Sequence, residues 1–517
     1  MYVRISRVKK KSGIYEYYQL VESKRVGTTV TKRVVCSLGT PDNPSLPTSL
    51  LELLLKGKEP KFYAFPVALY HIVKHDLDLH TILSACFKDS RITSDVFLLT
   101  TLMIIHRILD PDSKLALTRW YANILLPVPL PKAIDVSLFY YTLDYLLEKK
   151  ENIEQQLLTH LRGKGLTDAT VIFYDLTSSY FEGEDVGMAA YGYSRDHRPD
   201  CLQITLGLVI DKHGLPIYHE VFSGNTPDGK TVKGILQKLK TTFHLSNIVF
   251  VADKGMLTPD NLKELEEKKY QSILSESVRN ALSQKTREEL FLQKDAFTRC
   301  RGMEDTLWYT TTLSKEGNTV ILCYNPQTAC KAKQTRDGKI KKLQTFINGV
   351  KEKHKTAGRG KTLQMVRDMI MAKLVTSHAR KYFDTKQKPT IADLFPLRQE
   401  VLTREEHMDG MWVVISNTER MTTEELITTY KELKTIEASF RVIKNVVELR
   451  PIYHHKDDRV KGHVFICILA YLVTRILERK TGQTVKMLRE RYATSVAIPG
   501  EKQPVILGGN DLLQAVL

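Results

Sequence analysis

Three acidic side chains in this 517-residue sequence stand where carboxylate chemistry could be assembled. Asp175 follows the apolar run Val-Ile-Phe-Tyr and Asp253 follows Ile-Val-Phe-Val-Ala. Both are therefore expected at the carboxyl ends of hydrophobic strands, the edge at which open α/β sheets bind ligands. Two carboxylates brought close repel each other unless a divalent cation lies between them, and hard Mg²⁺ prefers such oxygen ligands. The third candidate is Glu437. Tyr430, Glu437 and Lys444 are spaced by seven, and seven helical residues return a side chain to within about 20° of its starting direction. A single helix from Thr423 to Val447 would put them on one stripe with Leu433, Phe440 and Val447, the buried face. Charges placed there must pair or bind a metal. Plainer readings stand beside these: each Asp caps the element after it, and Glu437 bridges to Lys444 or points into solvent.

The elements that must position these residues can be read from periodicity. Residues 1–45 alternate apolar and polar side chains in three short runs with Gly13 and Gly27 between them, which predicts a small three-stranded β unit. Residues 41–60 hold Pro41, Pro44 and Pro60 and read as a linker around a short Leu-rich helix. Residues 61–165 show helical spacing and read as an all-α module. His71 and His75 stand at i, i+4 on an expected helix from His71 to His80, without a third ligand nearby. Over 166–280 the pattern becomes β-β-β-α-β-α-β, in which a meander beginning with a short strand Thr170–Tyr174 feeds a crossover into a parallel strand. That order is expected of a ribonuclease-H-like mixed sheet. The core resumes over 410–480, residues 281–409 form an inserted domain, and 481–517 a C-terminal tail.

Composition limits what such a protein does. Hydrophobic residues make up 42% and charged residues 26%, ordinary values for a folded globular chain. Lys and Arg exceed Asp and Glu by 17, and the sequence pI is near 9.3, a surplus that favours a polyanionic partner, most often nucleic acid. It is concentrated: residues 1–40 carry about +7, and residues 331–361 hold eleven Lys and Arg against Asp337 and Glu352. Each stretch is either a phosphate-contacting surface or a solvated face. The seven cysteines include no C-x-x-C pair, which argues for reduced thiols in a cytoplasmic setting. The N-terminus lacks the apolar segment of a signal peptide. The apolar run Val464–Val473 is about half the length of a membrane span, so no membrane partner is expected.

Several segments together resemble a known family. Tyr-Asp-Leu-Thr-Ser-Ser-Tyr-Phe-Glu around Asp175, the stretches 191–203 and 222–231, Val-Ala-Asp-Lys-Gly-Met around Asp253 and the Tyr-x6-Glu-x6-Lys spacing are similar to the DDE transposases of bacterial insertion sequences. The similarity is to the branch with a Tyr-Arg-Glu-Lys signature. It implies that Asp175, Asp253 and Glu437 are catalytic metal ligands for two Mg²⁺ ions, with Mn²⁺ an alternative. It also implies that Tyr430 and Lys444 contact DNA near the scissile phosphate. The activity implied is cleavage of element ends and their joining to target DNA, the partners being double-stranded terminal inverted repeats and target, held by a homodimer. The chain departs from the signature at Leu433, where that branch has Arg.

Three rival readings remain open at the level of sequence. Gly224-Asn-Thr-Pro-Asp-Gly-Lys-Thr231 satisfies the P-loop pattern, although Pro227 removes an amide donor from the loop. A haloacid-dehalogenase-like phosphatase would need a second Asp where Thr177 stands. A transposase-derived DNA-binding protein without catalytic activity would retain the same residues.

Overall fold

The computed structural model describes residues 2–10, 13–26, 29–37, 40, 61–183, 186–256, 258–293, 295, 297–301, 306–314, 317–356, 362–386, 390–493, 495–498 and 505–517. The expected linker helix within 41–60 and the end of the basic run, 357–361, lie outside them. Strands β1 (Tyr2–Lys10), β2 (Gly13–Val26), β3 (Thr29–Ser37) and β4 (Lys61–Phe62) come first. The helices α1 (Ala64–His71), α2 (Leu79–Cys86), α3 (Val96–Leu109), α4 (Lys114–Trp120), α5 (Val136–Glu148) and α6 (Lys150–Gly163) come after them. Next are β5 (Val171–Tyr180), β6 (Gln203–Asp211), β7 (Pro216–Ser223), α7 (Asp228–Thr241), β8 (Val249–Ala252), α8 (Pro259–Glu267) and β9 (Gln271–Glu276). Further along are β10 (Thr298–Arg299), β11 (Trp308–Leu313), β12 (Thr319–Tyr324), α9 (Pro326–Thr356), α10 (Leu363–Thr376) and β13 (Met411–Ser416). Toward the C-terminus lie α11 (Thr423–Lys431), α12 (Lys434–Asn445) and α13 (Asp457–Thr481). From β5 to β9 the order is the β-β-β-α-β-α-β of a ribonuclease-H-like mixed α/β core.

The chain divides into two compact units, Met1–Ile248 with Lys434–Leu517, and Val249–Leu433. In the first, β1, β2 and β3 form the expected antiparallel meander, Val8 opposite Tyr15 and Leu20 opposite Cys36. The expected His71–His80 helix is split: α1 ends at His71, Ile72–Asp76 form a π-helical turn, and Asp78 takes a left-handed φ of 49° before α2. A π turn adds a residue to the helical repeat and re-aims the side chains beyond it. Strands β5, β6 and β7 form an antiparallel meander in which Asp175 lies opposite Leu208, and Leu208 opposite His219.

The core helix of this unit is α13, on which α3, α5 and β7 pack. At 25 residues it is longer than the apolar run suggested, and it is the one described helix long and apolar enough to cross a membrane. Its 18-residue apolar window is 89% buried inside the protein, so its hydrophobicity is spent on the core.

In the second unit, β8 and β9 are parallel, β13 runs antiparallel to β9, and β12, β11 and β10 continue the sheet antiparallel. Strands from the 281–409 segment therefore extend the β8–β9 pair. The rest of that segment has its own core: Ile340, Leu343 and Ile347 of α9 cluster with Val366, Ile370 and Leu374 of α10.

Candidate active site

Asp175 is the fifth of ten residues in β5 and is half-buried. The expectation that its strand stops there is corrected: Leu176, Thr177, Ser178 and Ser179 are all buried and pair with Gly207, Leu206, Thr205 and Ile204. Small and β-branched side chains satisfy the ladder as well as the aliphatic ones before them. The Asp175 carboxylate accepts the Leu176 N–H at 2.7 Å. Asp253 does stand directly after its strand β8, exposed. Within the same unit the Tyr430 hydroxyl lies 3.5 Å from Asp253 Oδ1, and the Tyr430 ring stacks on Trp412, centroids 5.3 Å apart.

The single helix expected from Thr423 to Val447 is two. A capping box of Thr422 and Glu425 starts α11, which ends at Lys431. At Glu432–Leu433 the chain tightens, with the Leu433 N–H reaching the Tyr430 carbonyl three residues back, and α12 begins at Lys434. Tyr430 and Glu437 thus sit on different helices, and the seven-residue repeat links only Glu437 and Lys444. The buried stripe of α12 is Ile436, Ser439, Phe440 and Ile443. Glu437 lies in the first turn and is exposed, not buried as the stripe argument required. An acidic side chain there faces unpaired N–H groups, a favourable placement.

Lys444 is partly buried, and its partner is Asp196, 2.9 Å away and 248 residues earlier, not Glu437. The other Asp196 oxygen is 3.3 Å from Arg450. Burial pushes the Lys444 ammonium below the ordinary lysine range, and the Asp196 carboxylate opposes that shift. The Tyr180 ring lies under two guanidiniums, Arg450 at 4.4 Å and Arg198 at 5.0 Å. Beside this cluster is a cavity of about 570 Å³ lined by Lys444, Arg450, Tyr180 and His454. Burial, then Lys114, Arg459 and Arg107, push His454 down to about 3. Sequence reasoning assigned no role to Asp196, Arg450 or Tyr180. The only signal for Asp196 was its place in the 191–203 segment.

That segment and 222–231 are pinned together. A Cβ on Gly192 would meet the Gly224 carbonyl oxygen at 2.0 Å, and one on Gly224 the Gln203 carbonyl oxygen at 2.1 Å, so both positions admit only glycine. The Gln203 side-chain amide donates to the carbonyls of Tyr193 and Gly224 at 3.1 Å, and Arg195 binds Asp228 at 2.7 Å. The glycine of the P-loop-like pattern thus serves packing. Thr231 is buried, accepts from the Tyr174 hydroxyl at 2.8 Å and donates to the Asp228 carbonyl at 2.7 Å. A P-loop would need that hydroxyl free for a metal ion.

The Asp175, Asp253 and Glu437 side chains each offer only carboxylate oxygens, the donor type that a hard divalent cation prefers. Asp175 and Glu437 belong to the first unit and Asp253 to the second. Among the described residues no group of three or more His, Cys, Asp or Glu side chains is gathered as a metal site. The His71 and His75 rings are in tilted contact, centroids 4.6 Å apart, with no third candidate ligand among the described residues.

The element order from β5 to β9 places the protein in the class of ribonuclease-H-like mixed α/β folds. Residues 166–473 match the transposase DDE domain, and residues 3–64 match the N-terminal domain of IS1634 family transposases. The first match spans more than half of the chain, and the protein belongs to the DDE transposases of insertion sequences. Among solved structures the chain is similar to piggyBac transposase in a synaptic complex with hairpin DNA, at 9% identity, over 84% of this chain and 81% of that one, with a TM-score of 0.37. It is also similar to Mos1 transposase in a paired-end complex with the left transposon end, at 14% identity, over 37% of this chain and 57% of that one, with a TM-score of 0.16. No curated protein matches the sequence.

Proposed function

We propose that this transposase cleaves the ends of its insertion sequence and joins them to target DNA by phosphodiester transfer with two Mg²⁺ or Mn²⁺ ions, acting in the cytoplasm as a homodimer on DNA. The observation that carries this reading is that the DDE-domain match, residues 166–473, contains all three strand- and helix-borne carboxylates. Asp175, Asp253 and Glu437 would hold the ions, which when bound activate the attacking oxygen and stabilise the leaving one.

The chain's own side chains have distinct parts in that reaction. Tyr430, stacked on Trp412, keeps its hydroxyl beside Asp253, from which its single proton turns to a DNA phosphate when DNA is bound. Lys444, tethered by Asp196, presents a cation to the backbone near the cut. Leu433 supplies no guanidinium, so the Tyr-Arg-Glu-Lys branch is matched at three of its four positions. Water, and then the freed 3′-hydroxyl, attacks phosphorus and the opposite P–O bond breaks. No protein nucleophile takes part.

The test is Mg²⁺-dependent cleavage of a duplex carrying the element's terminal sequence, without ATP, by wild type, Asp175→Asn, Asp253→Asn, Glu437→Gln and Lys230→Ala. Cutting by wild type and Lys230→Ala alone is expected. Binding without cutting by wild type would instead make this a DNA-binding descendant of a transposase.

A further inference from the structure

The basic run beginning at Lys331 is not one uniform surface. Arg336 is 7% exposed, and its Nη1 lies 2.8 and 2.7 Å from the two Asp409 oxygens, while Lys333 pairs with Glu406 at 3.0 Å. Arg336 is thus consumed inside the protein, and Lys333 is held in an ion pair at its surface. Lys339 and Lys342 of α9 are exposed, as is Lys373 in the last turn of α10, and among the described residues none of the three has an acidic partner. They line one groove of about 730 Å³.

The rest of that groove has matching chemistry. His378 adds a ring nitrogen and Gly338 leaves open space where a Cβ would be, while the Thr335 and Thr376 hydroxyls donate to the Lys331 and Lys373 carbonyls. Among the described residues no carboxylate lines it. Its walls are held by the Ile340–Leu343–Ile347 contact with Val366, Ile370 and Leu374. The last carbonyls of α10 accept from Ser377, His378 and Ala379 N–H groups, so they are not left bare to repel an anion.

We infer that this groove is a second DNA-binding surface, taking the phosphate backbone of duplex DNA irrespective of sequence. The inference rests on the transposase reading for its choice of polyanion. Lysine is a mobile point charge, suited to neutralising phosphates and poorly suited to reading base edges. Stable attachment to an anionic membrane adds inserted apolar side chains to such charge, and Leu343, the apolar residue lining the groove, is only 4% exposed.

The experiment measures binding of full-length protein to a random duplex and to a terminal-sequence duplex between about 50 and 300 mM salt. Wild type is compared with the triple variant Lys339→Gln/Lys342→Gln/Lys373→Gln and with Lys263→Gln, an exposed lysine paired with Glu267 at 3.7 Å. The triple variant should lose about 2.7 from the log–log salt slope on both duplexes, ~0.9 for each phosphate contact, and Lys263→Gln nothing. Circular dichroism identical to wild type shows that the variant is folded. An unchanged slope overturns the inference, as does a loss confined to the terminal duplex, or loss of binding to phosphatidylserine vesicles with DNA binding intact. If wild type cleaves element ends and the triple variant keeps its slope, the groove falls alone. If wild type binds with the full slope but never cuts, the catalytic reading falls and the groove stands.

Discussion

Lys444 in the first unit and Lys339, Lys342 and Lys373 in the second are the same side chain in opposite circumstances. Lys444 is partly buried and tethered to Asp196, with Arg450 on the other carboxylate oxygen. The three groove lysines are exposed and have no acidic partner among the described residues. A tethered cation sacrifices some attraction for a fixed position, which a reaction needs at the bond being broken. An untethered bank keeps its full charge and gains by releasing counterions, which suits holding a polymer in any register. The charge surplus of the chain thus includes tethered and untethered cations, which composition alone cannot separate.

Glu437→Gln should break the comparison most sharply. Cleavage should fall by more than the roughly 10–100-fold typical of changes behind a metal ligand, while the salt slope of DNA binding stays at its wild-type value. The groove triple variant should do the reverse, with a shallower slope but wild-type cleavage once DNA is saturating. Lys444→Ala should weaken binding of the terminal duplex by roughly 10-fold or more, the scale of one charge-assisted hydrogen bond, whereas Lys339→Ala alone should lower the slope by only ~0.9.

Removing the tether gives a subtler contrast. Asp196→Asn leaves Lys444 and Arg450 facing each other and should cost about 1–2 kcal/mol of stability in urea unfolding, well short of a fully buried pair. The smallest effect concerns pH. His454 is held neutral in the fold, with its value down at about 3. The unfolded chain takes up that proton below about pH 6.5 while the folded chain does not until near pH 3. Stability should therefore fall as pH drops from 7.5 to 5.5, by about 1 kcal/mol for this group, and His454→Gln should lose that part of the dependence in melts at the two pH values.

Much of the fold was legible in the residues, as was the position of Asp253. The apolar runs located β5, β8 and β9, and Asp253 stands where its strand stops because Lys254 and Gly255 give no further apolar alternation. Asp175 misled because Leu176-Thr-Ser-Ser lacks the aliphatic density of Val-Ile-Phe-Tyr, yet β6 supplies it with a full ladder. The break at Glu432–Leu433 has neither Gly nor Pro to announce it. The partner of Lys444 was hidden by 248 residues of chain, a distance at which local spacing carries no information.

The placement of α13 has a consequence for the order in which this protein can be made. Residues 457–481 fill the space on which α3, α5 and β7 pack, so those elements leave the ribosome long before the helix that covers them. Their apolar faces stay open until Thr481 has emerged, and such surface invites chaperones or aggregation. A message cut short anywhere before that point yields an unfinished core instead of a smaller transposase.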